Sequence, residues 1–335
     1  MMYFLFIFAA IITVFSAIKL STYADVLSER TSLGGLMVGT LLLAGATSLP
    51  EVTTSATAIF VNNPDIAIGN VLGSNLFNLL ILAVVDLLYR KKKMMTQINK
   101  DHLYTGLLGI GLSGLVFVTI LLPSGITILG IGIESYLLVI FYIAGMKFIS
   151  SQTTSVEEVT AATAEIEDIK EMHHTGAISL RRAKFGFGIA AFIIFISGSL
   201  LTISGDAIAA STGISSSFIG SFLIAGATSL PELVTVIVAI QLRNFNLAVG
   251  NILGSNIFNM MIIVLVDILY RNGSILSATN PVSAVTAGAV LVLYIIVLVG
   301  IIVWQMKVSS KQGYTIPSAL LVVVYFLSSY FIFTL

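Results

Sequence analysis

Residues 43–52 read LAGATSLPEV, and residues 224–233 read IAGATSLPEL. At a constant offset of 181, segments 39–80 and 220–261 are identical at 23 of 42 positions. A second block, GNVLGSNLFN at 69–78, returns as GNILGSNIFN at 250–259, and DLLYR (86–90) returns as DILYR (267–271). Asp25 likewise matches Asp206. A repeat of this fidelity means that one structural unit is built twice, and the whole fold has to accommodate the duplication.

Both copies lie inside apolar runs. Only 10% of the 335 residues are charged and 57% are hydrophobic, whereas soluble domains carry roughly 25% charged residues. The chain therefore reads as an all-α polytopic membrane protein. Ten spans are predicted near 2–20, 33–60, 65–89, 103–122, 125–148, 185–207, 216–241, 246–270, 281–304 and 314–334. The opening run MMYFLFIFAAIITVFSAIKL lacks a basic leader and reads as a retained first span. A polar stretch divides the chain into a first five-helix repeat (1–148), a linker (149–184) and a second five-helix repeat (185–335). Five is odd, so the second repeat enters the membrane from the opposite side, the inverted arrangement of many secondary transporters. With an external N-terminus, fifteen of the 16 Lys and Arg residues fall on cytoplasmic connections and only Arg271 falls outside. The positive-inside rule then places both termini outside a plasma (inner) membrane.

Proline at 50 removes the amide that would bond the carbonyl of Ala46, and Gly45 lets the chain bend there. Carbonyls freed in hydrocarbon are tolerated where they line a cavity or find another partner, and a cation is such a partner. Glu51 follows, with Thr47 four and Ser48 three residues before it. Pro231, Glu232, Thr228 and Ser229 repeat the set. An ionisable residue at the bilayer centre costs roughly 3 kcal/mol on insertion scales and marks an ion path. Two carboxylates with carbonyls and hydroxyls make an all-oxygen set, which suits a hard cation such as calcium and balances its charge once. In the other block, Ser74 with Asn78 and Ser255 with Asn259 are each four apart and put their oxygens on one helix face. Spans 2, 3, 7 and 8 are expected to be broken helices, with Asn75 and Asn256 holding the broken backbone.

Other polar groups read as structural. Asp86 and Asp267 stand four residues before Arg90 and Arg271, the spacing of a helical salt bridge. Asp25 and Asp206 fall at span ends as caps or tethers. His173 and His174 sit among acids on a solvated linker helix. No cysteine is present, which removes disulfides and thiolate sites. The formal net charge of zero gives no hold on nucleic acid. No nucleophile–base pair or nucleotide-binding loop argues for an enzyme, and no cofactor is expected.

GATSLPE followed by GN-x-LGSN-x-FN, twice and inverted, resembles the alpha-repeats of the cation/calcium antiporter superfamily, closest to its prokaryotic sodium/calcium exchanger branch. The resemblance runs over all ten spans. It implies an antiporter that exports calcium for sodium by alternating access, with proton coupling or a passive cation channel as the alternatives. It implies that calcium is held by Glu51 and Glu232 with the carbonyls of Thr47 and Thr228. Sodium would use the same glutamates with Ser48, Ser229, Ser74 and Ser255 and the carbonyls of Ala44 and Ala225. It also implies that spans 1 and 6 slide across the core. Where many members carry an aspartate, this chain has Asn259, matched by Asn78, so its site holds two carboxylates and one fewer proton carrier. A single chain in a lipid bilayer suffices for such transport.

Overall fold

The computed structural model describes residues 1–30, 45–152, 178–305 and 313–335. In chain order the helices are α1 (Met2–Arg30), α2 (Leu49–Phe60), α3 (Pro64–Leu88), α4 (Asp101–Leu121), α5 (Ile133–Gln152) and α6 (Leu180–Thr212). They continue with α7 (Ser216–Thr228), α8 (Leu230–Gln241), α9 (Phe245–Tyr270), the single turn α10 (Ile275–Ala278), α11 (Val282–Gln305) and α12 (Ile316–Thr334). Among the described residues, eight helices are long and apolar enough to cross a bilayer, and the bent pair α7–α8 makes a ninth span. Of the expected second span, 33–60, only 45–60 is described, so the count of ten is not reached.

Helices α3 and α9 occupy the centre, with 72% and 61% of their most apolar windows buried. They begin alike. Asn62 and Arg243 take positive φ (59° and 60°) to turn the chain. Asn63 and Asn244 then cap the helices, accepting from the amides of Ile66 at 3.1 Å and Leu247 at 2.9 Å. The expected breaks in spans 3 and 8 do not occur: both helices run uninterrupted. The physical reason is that neither has an interior proline, Pro64 being at the first helical position where no amide is needed. The glycines of α3 serve close contact instead. A Cβ on Gly73 would fall 2.2 Å from the backbone oxygen of Ser221, and one on Gly220 would fall 2.8 Å from that of Ile66. Helix α7 thus lies backbone to backbone on α3.

Spans 2 and 7 do break, and at matching residues. Ser48 (φ −88°, ψ 7°) and Ser229 (φ −86°, ψ 2°) sit in the same bridge-region conformation, each followed by a new helix with proline in its first turn. The bend between α7 and α8 is 42°. Upstream of it, Ile219–Ile224 winds as π-helix, a widening common at functional sites.

Helices α1 and α6 pack along one another outside this core, joined by Thr13 Oγ1 donating to Ser197 Oγ at 2.8 Å. Their lipid-facing sides expose Phe4, Phe8, Phe15, Phe185, Phe192 and Phe195. Helix α6 has 33 residues, about 50 Å at 1.5 Å per residue, longer than a ~30 Å hydrocarbon core, and its first residues include Arg181, Arg182 and Lys184. One expected boundary moves. Span 5 begins not at 125 but at Ile133, after a small hairpin pairing Thr127–Ile128 with Ile131–Gly132. Leu129 and Gly130 make its turn with positive φ (54° and 78°).

Candidate functional site

At each of the two serine breaks a new helix begins, and the glutamate follows within its first turn. Glu51 and Glu232 each stand in the first turn of a new helix, α2 and α8. The positive end of each helix dipole lies beside the carboxyl group there. Both are fully buried or nearly so, and they lie close enough to act on each other electrostatically. Among the described residues, no lysine, arginine or histidine pairs with either.

Around Glu51 the two repeats interleave. Ser74 Oγ of α3 reaches Glu51 Oε1 at 3.5 Å and Thr228 Oγ1 of α7 at 3.4 Å. Thr228 Oγ1 is also within 3.3 Å of the Ala225 carbonyl and donates toward Asn70 Oδ1 at 3.4 Å. Asn70 was not singled out from the sequence, yet it is the bracket of this corner. Its amide nitrogen reaches the Glu51 carbonyl at 3.3 Å, Thr54 Oγ1 at 2.7 Å and Ser55 Oγ at 2.8 Å. The signal was present as the Gly-Asn pair that opens each second block, Gly69-Asn70 and Gly250-Asn251.

Helices α3 and α9 are joined by a reciprocal set of amide bonds. Asn75 Nδ2 donates to the Asn256 carbonyl (3.1 Å) and Asn256 Nδ2 to the Asn75 carbonyl (3.2 Å). Asn78 Nδ2 donates to Asn256 Oδ1 and Asn259 Nδ2 to Asn75 Oδ1, both at 2.9 Å. Asn75 and Asn256 therefore do not hold broken backbone, because there is none; they clamp two intact helices across the repeat axis. The clamp uses the nitrogens of Asn78 and Asn259 and leaves their Oδ1 atoms buried without a partner.

Those two oxygens belong to a larger group. Ser48 Oγ, Ser229 Oγ, Ser255 Oγ, Glu51 Oε2 and Glu232 Oε2 are also buried and unpartnered. A buried polar atom without a partner costs about 1–3 kcal/mol, and six of these seven oxygens fall at matched positions of the two repeats, Ser48 with Ser229, Glu51 with Glu232 and Asn78 with Asn259. Thr47, Thr228 and Ala225 are buried beside them, while Ala44 lies outside the described residues. The donors on offer are hard oxygens, with two carboxyl groups among them, the type of ligand that a hard cation takes.

The outlying acids correct the sequence expectation. Asp86 forms no salt bridge with Arg90: it is buried and accepts from Tyr314 Oη and from Ser318 Oγ at 2.6 Å. Asp267 accepts from Ser135 Oγ (2.6 Å) and from the amides of Gly132 (2.9 Å) and Ile275 (2.7 Å) rather than from Arg271. Each aspartate thus pins the end of a central helix to a peripheral one, α3 to α12 and α9 to α5. Hydrogen bonds to distant segments win because the carboxylates face inward while Arg90 and Arg271 point to solvent. Asp206 is a tether, taking the Asn63 amide at 2.6 Å. The side chain of Asp25 lies outside the described residues, as do His173 and His174.

A family model described as sodium/calcium exchanger protein matches residues 1–151 and 183–334. Inner membrane protein YrbG of Escherichia coli (strain K12) is 28% identical over 271 residues, covering 81% of this chain and 80% of that protein. Sodium/calcium exchanger MaX1 of Methanosarcina acetivorans is 26% identical over 317 residues, covering 85% and 87%. Two solved structures share the fold. The H+/Ca2+ exchanger CAX superposes with a TM-score of 0.62 at 15% identity, over 99% of this chain and 89% of that one. The sodium-calcium exchanger NCX_Mj superposes with a TM-score of 0.58 at 20% identity, over 98% of both chains.

Proposed function

The chain belongs to the sodium/calcium exchanger protein family, and from that premise we propose that it is an antiporter exporting calcium in exchange for sodium. The observation that carries this reading is the set of buried oxygens without a hydrogen-bond partner that both repeats supply: one carboxyl oxygen each of Glu51 and Glu232, the hydroxyls of Ser48, Ser229 and Ser255, and the amide oxygens of Asn78 and Asn259. Calcium is taken by the two carboxylates with the carbonyls of Thr47 and Thr228. Sodium takes the same carboxylates with Ser48, Ser74, Ser229 and Ser255 and the carbonyls of Ala44 and Ala225. A shared pair of charges cannot serve both ions at once, and that competition couples the fluxes. Asn78 and Asn259 add neutral amide oxygens, so one calcium neutralises the site.

Alternating access follows if α1 and α6 move as a pair against the clamped α3–α9 core, opening the site first to one side and then to the other. The chain sits in the plasma membrane with both termini outside, 1–148 and 185–335 as its two repeats and 149–184 as a cytoplasmic linker, and the monomer transports. Isotopic calcium uptake into proteoliposomes tests the coupling. An outward sodium gradient at clamped pH is expected to drive calcium inward. Uptake that follows a proton gradient and ignores sodium would replace this reading with proton-coupled exchange, and uptake indifferent to both would point to a channel.

A further inference from the structure

The end of the bundle where α3 finishes carries a charge run that ion exchange does not use. Residues 90–93 read Arg-Lys-Lys-Lys. They form a 3-10 turn, Arg90–Lys92, closed by Lys93 in the left-handed region (φ 47°, ψ 53°). The segment is seated rather than loose. Met94 and Met95 are buried, the Met95 amide donates to Tyr314 Oη at 3.3 Å, and the Asn99 amide donates to Asn246 Oδ1 at 2.7 Å. Arg90, Lys91, Lys93 and Lys100 remain exposed. They stand just past the end of α3, a helix long and apolar enough to cross a bilayer.

Further along the chain, α4 and α5 leave an apolar groove of about 330 Å³ between them, lined by Tyr104, Leu107, Leu108, Phe141, Ala144 and Phe148 among others. Leu107, Phe141 and Phe148 are exposed along it, so it faces the bilayer. At its basic end the Tyr104 ring meets Phe148 edge-on, with centroids 5.7 Å apart. Lys100 lies one helical turn before Tyr104. Lys147, next to Phe148 in the sequence, is exposed on the flank of α5, from which its long stem can carry the ammonium to the interface. No acidic side chain lines the groove.

We propose that the α4–α5 groove binds one acyl chain of an anionic phospholipid whose phosphate is held by Lys100 and Lys147. Arg90, Lys91 and Lys93 extend the positive field around the headgroup. The apolar walls accept the chain of any lipid, so the lysines make the selection, and each basic residue near the surface is worth about a fivefold gain in affinity for an anionic one. The inference stands apart from the identity of the coupling ion.

Native mass spectrometry of the purified full chain, released from micelles holding equimolar phosphatidylglycerol and phosphatidylcholine, reads the selectivity. One retained phosphatidylglycerol is expected, favoured over phosphatidylcholine by about fivefold or more. Lys100→Gln with Lys147→Gln is expected to bring that ratio near one with thermal unfolding unchanged, and Ala144→Trp, which fills the groove wall, to remove the retained lipid. An unselective wild type overturns the proposal. So does a ratio that survives the double lysine change, or one lost only with Lys91→Gln and Lys93→Gln, since either puts the headgroup elsewhere.

Discussion

At the scale of single residues, the asparagines of α3 and α9 separate two jobs that one side chain usually combines. Each of Asn78 and Asn259 spends its nitrogen on the opposite helix and keeps its oxygen for the cluster. Asn78→Asp or Asn259→Asp would remove a donor and set two acceptors face to face, adding a third negative charge to the site. The expected cost is about 1–3 kcal/mol, read as a lowered thermal midpoint in detergent that added calcium partly restores. A midpoint unchanged without calcium would show that the clamp does not bear on stability. This clamp was not legible in the sequence. Its partners are 178 to 184 residues apart, and only the packing of α3 on α9 reveals that Asn75 and Asn256 face one another. The glutamates were legible because a charge beside a proline in an apolar run has no cheap structural explanation.

Among helices, the same contrast holds. The breaks at Ser48 and Ser229 could be read from Pro50 and Pro231, since a missing amide is a local fact. The continuity of α3 and α9 could not, because glycines four apart serve a bend or a close contact equally well until the neighbour is known. Helix α6 grips α2 through Thr202 Oγ1, which donates to the Thr54 carbonyl at 3.0 Å, and through Thr57 and Ser199, whose hydroxyls lie 3.0 Å apart. If α6 slides in transport, this contact must part. The chain has no cysteine, so Thr57→Cys with Ser199→Cys, which puts two thiols where these hydroxyls meet, offers a cross-link free of competing thiols. Oxidation is expected to stop calcium flux and reductant to restore it. Full flux in the oxidised protein would mean that α6 and α2 move together and that the sliding element lies elsewhere.

For the whole molecule, inverted duplication explains why the halves match in detail: paired caps at Asn63 and Asn244, paired breaks, paired aspartates pinning α3 and α9. The orientation proposed from the basic residues has its own test at this scale. Ser124→Cys, in the exposed connection before α5, is expected to react with an impermeant maleimide on intact cells, and Lys91→Cys only after permeabilisation. The reverse pattern would invert the topology. The central claim is that neither repeat holds the ion alone, and equilibrium binding of isotopic calcium to the purified protein tests it most directly. One calcium per chain is expected, displaced by sodium, with Glu51→Gln and Glu232→Gln each weakening it by two orders of magnitude or more, a loss of about 3 kcal/mol or more for removing a charged ligand. Undiminished binding in either variant, or two independent calcium ions per chain, would contradict a single site shared between the repeats.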